Sequence, residues 1–172
     1  MPKICTKRKV LFVGAGPAYT LMTSRYKNEI NDKKFIFTGF VEWINVHSFY
    51  QISDIFITES LFEMHSMTIL EAQLSSLPII TRKDESYFDC IEDGINGYMC
   101  DTDEQMVNRI IELVEDKEKR LQFSKASLNT TKNFSIENYI KRTLFLYNEV
   151  IKNYPKKIDD IKVMQNMKKD IQ

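Results

Sequence analysis

Glu63 and Glu71 stand eight residues apart, with Ser66, Met67 and Thr68 between them. On a continuous helix they would be ~12 Å apart along the axis and ~80° apart around it. Carboxylates that share acid/base work on one glycosidic bond lie ~5–9.5 Å apart. These two therefore suit the two ends of an elongated ligand better than a single bond. The stretch from Thr58 to Ala72 runs from a strand end, through a loop, into a helix. The free N–H groups and dipole at a helix start favour a phosphate. Carboxylate, anion-binding backbone and carboxylate in line match a sugar, a diphosphate and a ribose. The plain alternative is a surface helix carrying two unrelated glutamates.

The order of apolar runs supplies the elements that must position these groups. Val10–Val13 reads as a buried strand closed by Gly14-Ala15-Gly16-Pro17, with Pro17 suited to the first position of a following helix. Ala18–Asn31 reads as that helix, with Leu21, Met22, Tyr26 and Ile30 inward. Lys34–Thr38 reads as a second strand ending at Gly39, and a short helix around Val46–Gln51 leads to a third strand, Asp54–Thr58. Ser66–Ser75 is expected to be helical, with Met67, Leu70 and Leu74 at core spacing, and Pro78–Thr81 to be a fourth strand. Ile91 and Tyr98-Met99-Cys100 bracket the turn Glu92-Asp93-Gly94-Ile95-Asn96-Gly97. Helices are expected at 103–115, 117–128, 135–153 and 157–170. Strand–helix alternation followed by helices indicates an α/β domain with a mostly parallel sheet flanked by helices. Ligands of such sheets sit at the carboxyl ends of the strands. That singles out the loops after Val13, Thr38, Thr58 and Thr81.

Composition narrows the function classes. At 172 residues, 43% hydrophobic and 28% charged, the chain has the material for about one domain's core. Lys plus Arg and Asp plus Glu number 24 each, so there is no basic excess of the kind a nucleic-acid binder carries. No apolar run approaches the ~20 residues of a spanning helix. The run after the charged N-terminus, Val10–Val13, is too short for a signal-peptide core. Cys5, Cys90 and Cys100 are odd in number and lack a CxxC spacing, which suggests reduced thiols in a cytoplasmic protein.

Gly14-Ala15-Gly16-Pro17 after a strand, then Phe35–Val41, then Glu63 and Glu71, then Leu77-Pro78-Ile79-Ile80, then Ile91–Tyr98 form an ordered set. That set resembles the C-terminal, donor-binding domain of GT-B retaining glycosyltransferases of family four. The similarity covers about residues 8 to 152, and its finer likeness is to bacterial diacylglycerol glucosyltransferases. The resemblance implies a Rossmann-like half of a GT-B fold over 1–154, its first strand–helix unit missing, with an amphipathic helical tail at 155–172. It implies that Glu71 holds the ribose hydroxyls and that Glu63, the catalytic candidate, holds donor-sugar hydroxyls beside the reacting carbon. Backbone amides around Ser66, Met67 and Thr68 would meet the diphosphate or sugar, His65 would lie in the same donor loop, and Gly39, Phe40 and Val41 would border the base. Gly14 and Gly16 would let the backbone approach the donor closely. The implied reaction is retaining transfer from a nucleotide-diphosphate sugar, expected to be a UDP-hexose, to an acceptor such as a membrane glycolipid. It needs neither cofactor nor metal; the nucleotide sugar is the substrate. Relatives also carry an acceptor-binding N-terminal domain and a basic "GR…K" segment that this chain does not contain. An alternative is a non-catalytic or split module that needs an acceptor-domain partner. Ser66 and Ser76 stand where the family has glycine, and a left-handed serine at 76 would cost ~1–2 kcal/mol.

Other signals point to structure. Tyr19 occupies the third small position of a dinucleotide fingerprint, which argues against a dehydrogenase. Asp101-Thr102-Asp103 spells a metal-binding DxD, but Thr102 with Gln105 makes a capping box. His47 reads as structural, and Trp43 is expected to pack beside Gly39–Val41. The tail carries Ile158, Ile161, Met164 and Ile171 among lysines. Its apolar face suits its own domain, an N-terminal domain, or an anionic membrane surface at the inner face, with protein contact favoured.

Overall fold

The structure is a computed structural model that describes residues 8–61, 63 and 66–153. The chain divides into two compact units, Met1–Leu128 and Asn129–Gln172. The first unit alternates strands and helices: β1 (Val10–Phe12), α1 (Tyr19–Arg25), α2 (Lys27–Asn31), β2 (Phe35–Phe37), α3 (Trp43–Gln51), β3 (Phe56–Thr58), α4 (Met67–Leu74) and β4 (Ile79–Arg82). A 3₁₀ turn at Glu85–Tyr87, β5 (Gly97–Cys100), α5 (Asp103–Glu115) and α6 (Lys117–Thr130) complete the series. The second unit holds a 3₁₀ turn at Thr131–Phe134 and α7 (Ile136–Asn153). The tail expected to be helical at 157–170 lies outside the described residues.

Every strand pairing is parallel, as the alternation requires, but the strands form two sheets rather than one. β1 pairs with β2 in the register Leu11↔Ile36. β3, β4 and β5 form the second sheet, with Ile57↔Ile80 and Ile80↔Tyr98 in one row. Among the described residues β1 and β3 share no ladder.

The core surrounds β4. A parallel strand covered on both faces must be apolar on both, and Pro78-Ile79-Ile80 meets that need. Ile79 and Ile80 are fully buried, and burial of each is worth ~1.5–3 kcal/mol. Ile80 clusters with Tyr98, Cys100, Met106, Leu113 and Phe123. α4 adds Ile69, Leu70, Ala72 and Gln73 to the buried set. The expected inner face of α4 is corrected: Met67 and Leu74 are 61% and 62% exposed. MTILEAQL is apolar around most of its circumference, so spacing alone did not select the face. Leu21 is likewise exposed.

The expected Ala18–Asn31 helix is broken at Tyr26, whose backbone (φ −104°, ψ 29°) ends α1 and begins α2. The Tyr26 ring packs on Phe35 of β2 at the break, centroids 5.3 Å apart. Pro17 lies outside α1, whose N-cap is Ala18. α4 ends in a Schellman motif: Ser76 N–H donates to Gln73 O and Leu77 N–H to Ala72 O. Ser76 takes the left-handed conformation that glycine usually supplies, φ 61°. At the start of α5, Thr102 Oγ1 accepts from Gln105 N–H and Gln105 Oε1 accepts from Asp101 N–H, a capping box shifted by one residue. Cys90 and Cys100 are buried and free, and burial pushes the Cys90 thiol up to about 11, which leaves it unreactive. Among the described residues no helix is long and apolar enough to cross a membrane.

Candidate functional site

Four loops leave the carboxyl ends of β1 to β4, and three carry the expected residues. After β1, Gly14 takes φ 117°, a backbone open to glycine. Its N–H donates to Thr38 Oγ1 at 3.1 Å, and Gly14 forms an antiparallel bridge with Gly39. The Thr38 hydroxyl donates to Gly39 O at 2.9 Å. The glycine loop and the loop after β2 are thus tied together. Gly39 is also left-handed, at φ 68°, and a Cβ there would lie 3.6 Å from the Tyr19 hydroxyl. Beside it Phe40 is 74% exposed, while Val41 is half-buried. Trp43 does not pack on this loop as expected; at 81% exposure it stands out from the start of α3.

The loop after β3 is pinned from below. Tyr87 is fully buried in its 3₁₀ turn and donates to Ser60 O at 2.7 Å. Burial, with the charges of Glu63 and Asp84, raises the Tyr87 phenol against hydrogen bonds that lower it, so it remains a donor. The Ser60 hydroxyl in turn donates to Glu63 Oε1 at 3.1 Å. Glu63 therefore sits in a braced loop ahead of α4, not on a helix shared with Glu71. His65, with Phe62 and Met64, lies outside the described residues.

Ser66 is the N-cap of α4, buried and extended, but its side chain caps no N–H. Its hydroxyl meets Thr68 Oγ1 at 2.9 Å instead. The first-turn N–H groups consequently have no side-chain cap to compete with an anion. Met67 and Thr68 are exposed there. One turn further, exposed Glu71 accepts from the Tyr50 hydroxyl of α3 at 3.0 Å. Burial first, and then the Glu71 carboxylate, push the Tyr50 phenol well above its usual range, so it stays protonated and donating.

The structure thus brings Gly14 to Gly39 and Ser66 to Thr68, and gives Glu63 and Glu71 different partners. Thr38, Tyr50, Ser60 and Tyr87 were not foreseen. Tyr50 is 21 residues from Glu71, and no local spacing marks such a pair. Among the described residues no group of three His, Cys, Asp or Glu could hold a metal. Of the DxD motif, Asp103 pairs with Arg82 at 2.8 Å and Asp101 with Lys83 at 3.6 Å. His47 Nδ1 meets Ile44 O on its own helix, as a structural histidine would.

Residues 1–130 match the family model described as "Glycosyl transferases group 1". The chain is 30% identical over 151 residues to "Alpha-monoglucosyldiacylglycerol synthase" of Acholeplasma laidlawii, covering 88% of this chain and 38% of that protein. It therefore spans well under half the length of that relative. Among solved structures, a variant of S. aureus TarM in complex with Fondaparinux, alpha-GlcNAc-glycerol and UDP superposes with a TM-score of 0.72. Its identity is 19%, over 81% of this chain and 29% of that one. Anabaena HepE in complex with UDP-glucose gives a TM-score of 0.65 at 19% identity, over 79% of this chain and 40% of that one. These two likenesses establish the fold.

Proposed function

The chain belongs to the group 1 glycosyl transferases, and on that premise we propose that it binds the nucleotide-sugar donor, a UDP-hexose, for retaining, metal-independent transfer. The observation that carries the reading is the uncapped start of α4 between the two glutamates, facing the same strand ends as the tied glycine loops. Glu71, held by Tyr50, accepts from the ribose hydroxyls. First-turn amides of α4 hold the diphosphate and stabilise the charge that grows on it as the sugar–phosphate bond breaks. Glu63, held by Ser60, orients the hexose hydroxyls. The Gly39–Val41 loop, with exposed Phe40, borders the base, and Gly14 and Gly16 let the backbone approach. The Acholeplasma relative is named for a glucosyldiacylglycerol product, which supports a glycolipid acceptor. The acceptor would be held by an acceptor-binding domain beyond the residues seen here.

Calorimetric titration of the chain with UDP and with UDP-glucose tests this reading. Glu71→Ala is expected to weaken UDP about tenfold or more, the worth of a hydrogen bond to a charged group. Glu63→Ala is expected to leave UDP binding unchanged and to weaken UDP-glucose. Equal losses of both ligands in both variants would contradict the assigned roles.

A further inference from the structure

We propose that the opening between β1 and β3 is a slot for one parallel β-strand with its following helix, supplied by a partner polypeptide. The proposal stands on the sheet and not on the donor reading. Strand order is 2-1 in one sheet and 3-4-5 in the other. A doubly wound sheet of order 3-2-1-4-5-6 gives this pattern, renumbered, when its first strand is removed. The removed strand is the central one, so its loss creates two edges at once.

Backbone geometry locates those edges. Val10 N–H donates to Lys34 O and Phe56 N–H to Pro78 O. In a parallel ladder successive residues bond to opposite sides. Leu11 and Ile57 therefore turn their N–H and C=O groups away from β2 and β4, toward the slot. Burial agrees. Along the row Ile57–Ile80–Tyr98, exposure is 42%, 0% and 4%. Val10 and Ile36 in the other sheet are 43% and 38% exposed, although buried parallel strands are covered on both faces. Two parallel edges with half-covered aliphatic rows fit one apolar strand running the same way, and a helix to cover Ile57. A parallel strand beside β1 needs a crossover of about a dozen or more residues, which is more than precede Val10. That places the occupant outside this chain. The Acholeplasma relative, of which the chain covers 38%, has the length to include such a unit.

Residue-resolved amide hydrogen exchange tests the slot. In the isolated chain Leu11 and Ile57 should exchange far faster than Ile80. Ile57→Pro should leave the isolated fold intact, because proline is tolerated on an edge strand and not in a central one. A strand of ~5 apolar residues and a helix of ~12, ordinary element lengths, fused ahead of Met1 should slow exchange at both Leu11 and Ile57 at least about tenfold. Ile57→Pro should abolish that protection. The proposal is overturned if the isolated monomer already protects both amides, as an occupant from its own tail would make it do. It is also overturned if protection grows with chain concentration at one edge only, the mark of a second copy, or if the fused unit protects neither amide.

Discussion

At the scale of single residues, the site depends on side chains whose value comes from what holds them. Glu71 was legible because its spacing from Glu63 on either side of a helix start is a local pattern. Tyr50 was not, because its contact with Glu71 exists only once α3 packs beside α4. Tyr50→Phe removes one hydrogen bond from a half-buried phenol and should cost ~1 kcal/mol at most in urea unfolding. If Tyr50 positions Glu71, the same variant should weaken UDP several-fold in calorimetry; unchanged UDP affinity would show that Glu71 needs no such support. Ser76 shows the opposite case, where a residue-level conflict was visible in advance. Its φ of 61° strains a side chain that glycine would not carry. Ser76→Gly should raise stability by up to ~1 kcal/mol, the relief of left-handed strain less the entropy glycine adds to the unfolded chain. The Schellman bonds around it should remain, which chemical denaturation with an unchanged m-value would report.

Whole elements were readable where a local chemical signal fixed their ends. α5 runs from Asp103 to Glu115, as read from the capping residues and apolar spacing. The helix after β1 was misread because nothing in its pattern marks Tyr26 as a break; docking on Phe35 is a tertiary event. The turn before β5 shows why a strong signal can hide its second purpose. Gly94 takes φ 79°, as a turn glycine does, whereas Gly97 opens β5, where an added Cβ would lie 2.5 Å from Ile79 O. Gly97→Ala should therefore cost about 3 kcal/mol through backbone displacement, more than turn propensity alone would predict. The junction of β5, α5 and α6 also carries a pH signature. Partial burial raises the Glu112 carboxyl, but bonds from Lys119, Arg109 and Tyr98 outweigh it and hold the group at about 2, below its ordinary 4.5. Its contribution is complete above pH 4.5 and is lost as pH falls toward 2. Glu112→Gln should lower the thermal midpoint at pH 7 by the equivalent of on the order of 1 kcal/mol. The gap from the native chain should close as both are acidified through that window.

At the scale of the molecule, the fold class was legible because strand–helix alternation forces parallel pairing, whatever the details of each helix. The division into two sheets was not, since hydrophobic pattern reports that a strand is apolar and not which neighbour it has. The consequence is an uneven distribution of stability. No described residue between 8 and 61 is buried, while β4 and its flanking helices hold the fully buried Ile69, Ile79, Ile80 and Leu113. Local opening is cheapest where few apolar contacts must be broken. The segment from β1 to α3 should therefore open without unfolding β4 and β5. Limited proteolysis under native conditions should cut first in the connections between β1 and α3, leaving a resistant fragment that contains α4 to α6. UDP should slow those cuts if Gly14, Gly16 and the Gly39–Val41 loop border the donor, because a ligand spanning both halves stabilises only the closed form. Cleavage at equal rates in both halves would mean that the exposed aliphatics of the first sheet are not the weak part of the fold, and cleavage indifferent to UDP would separate the glycine loops from the donor site.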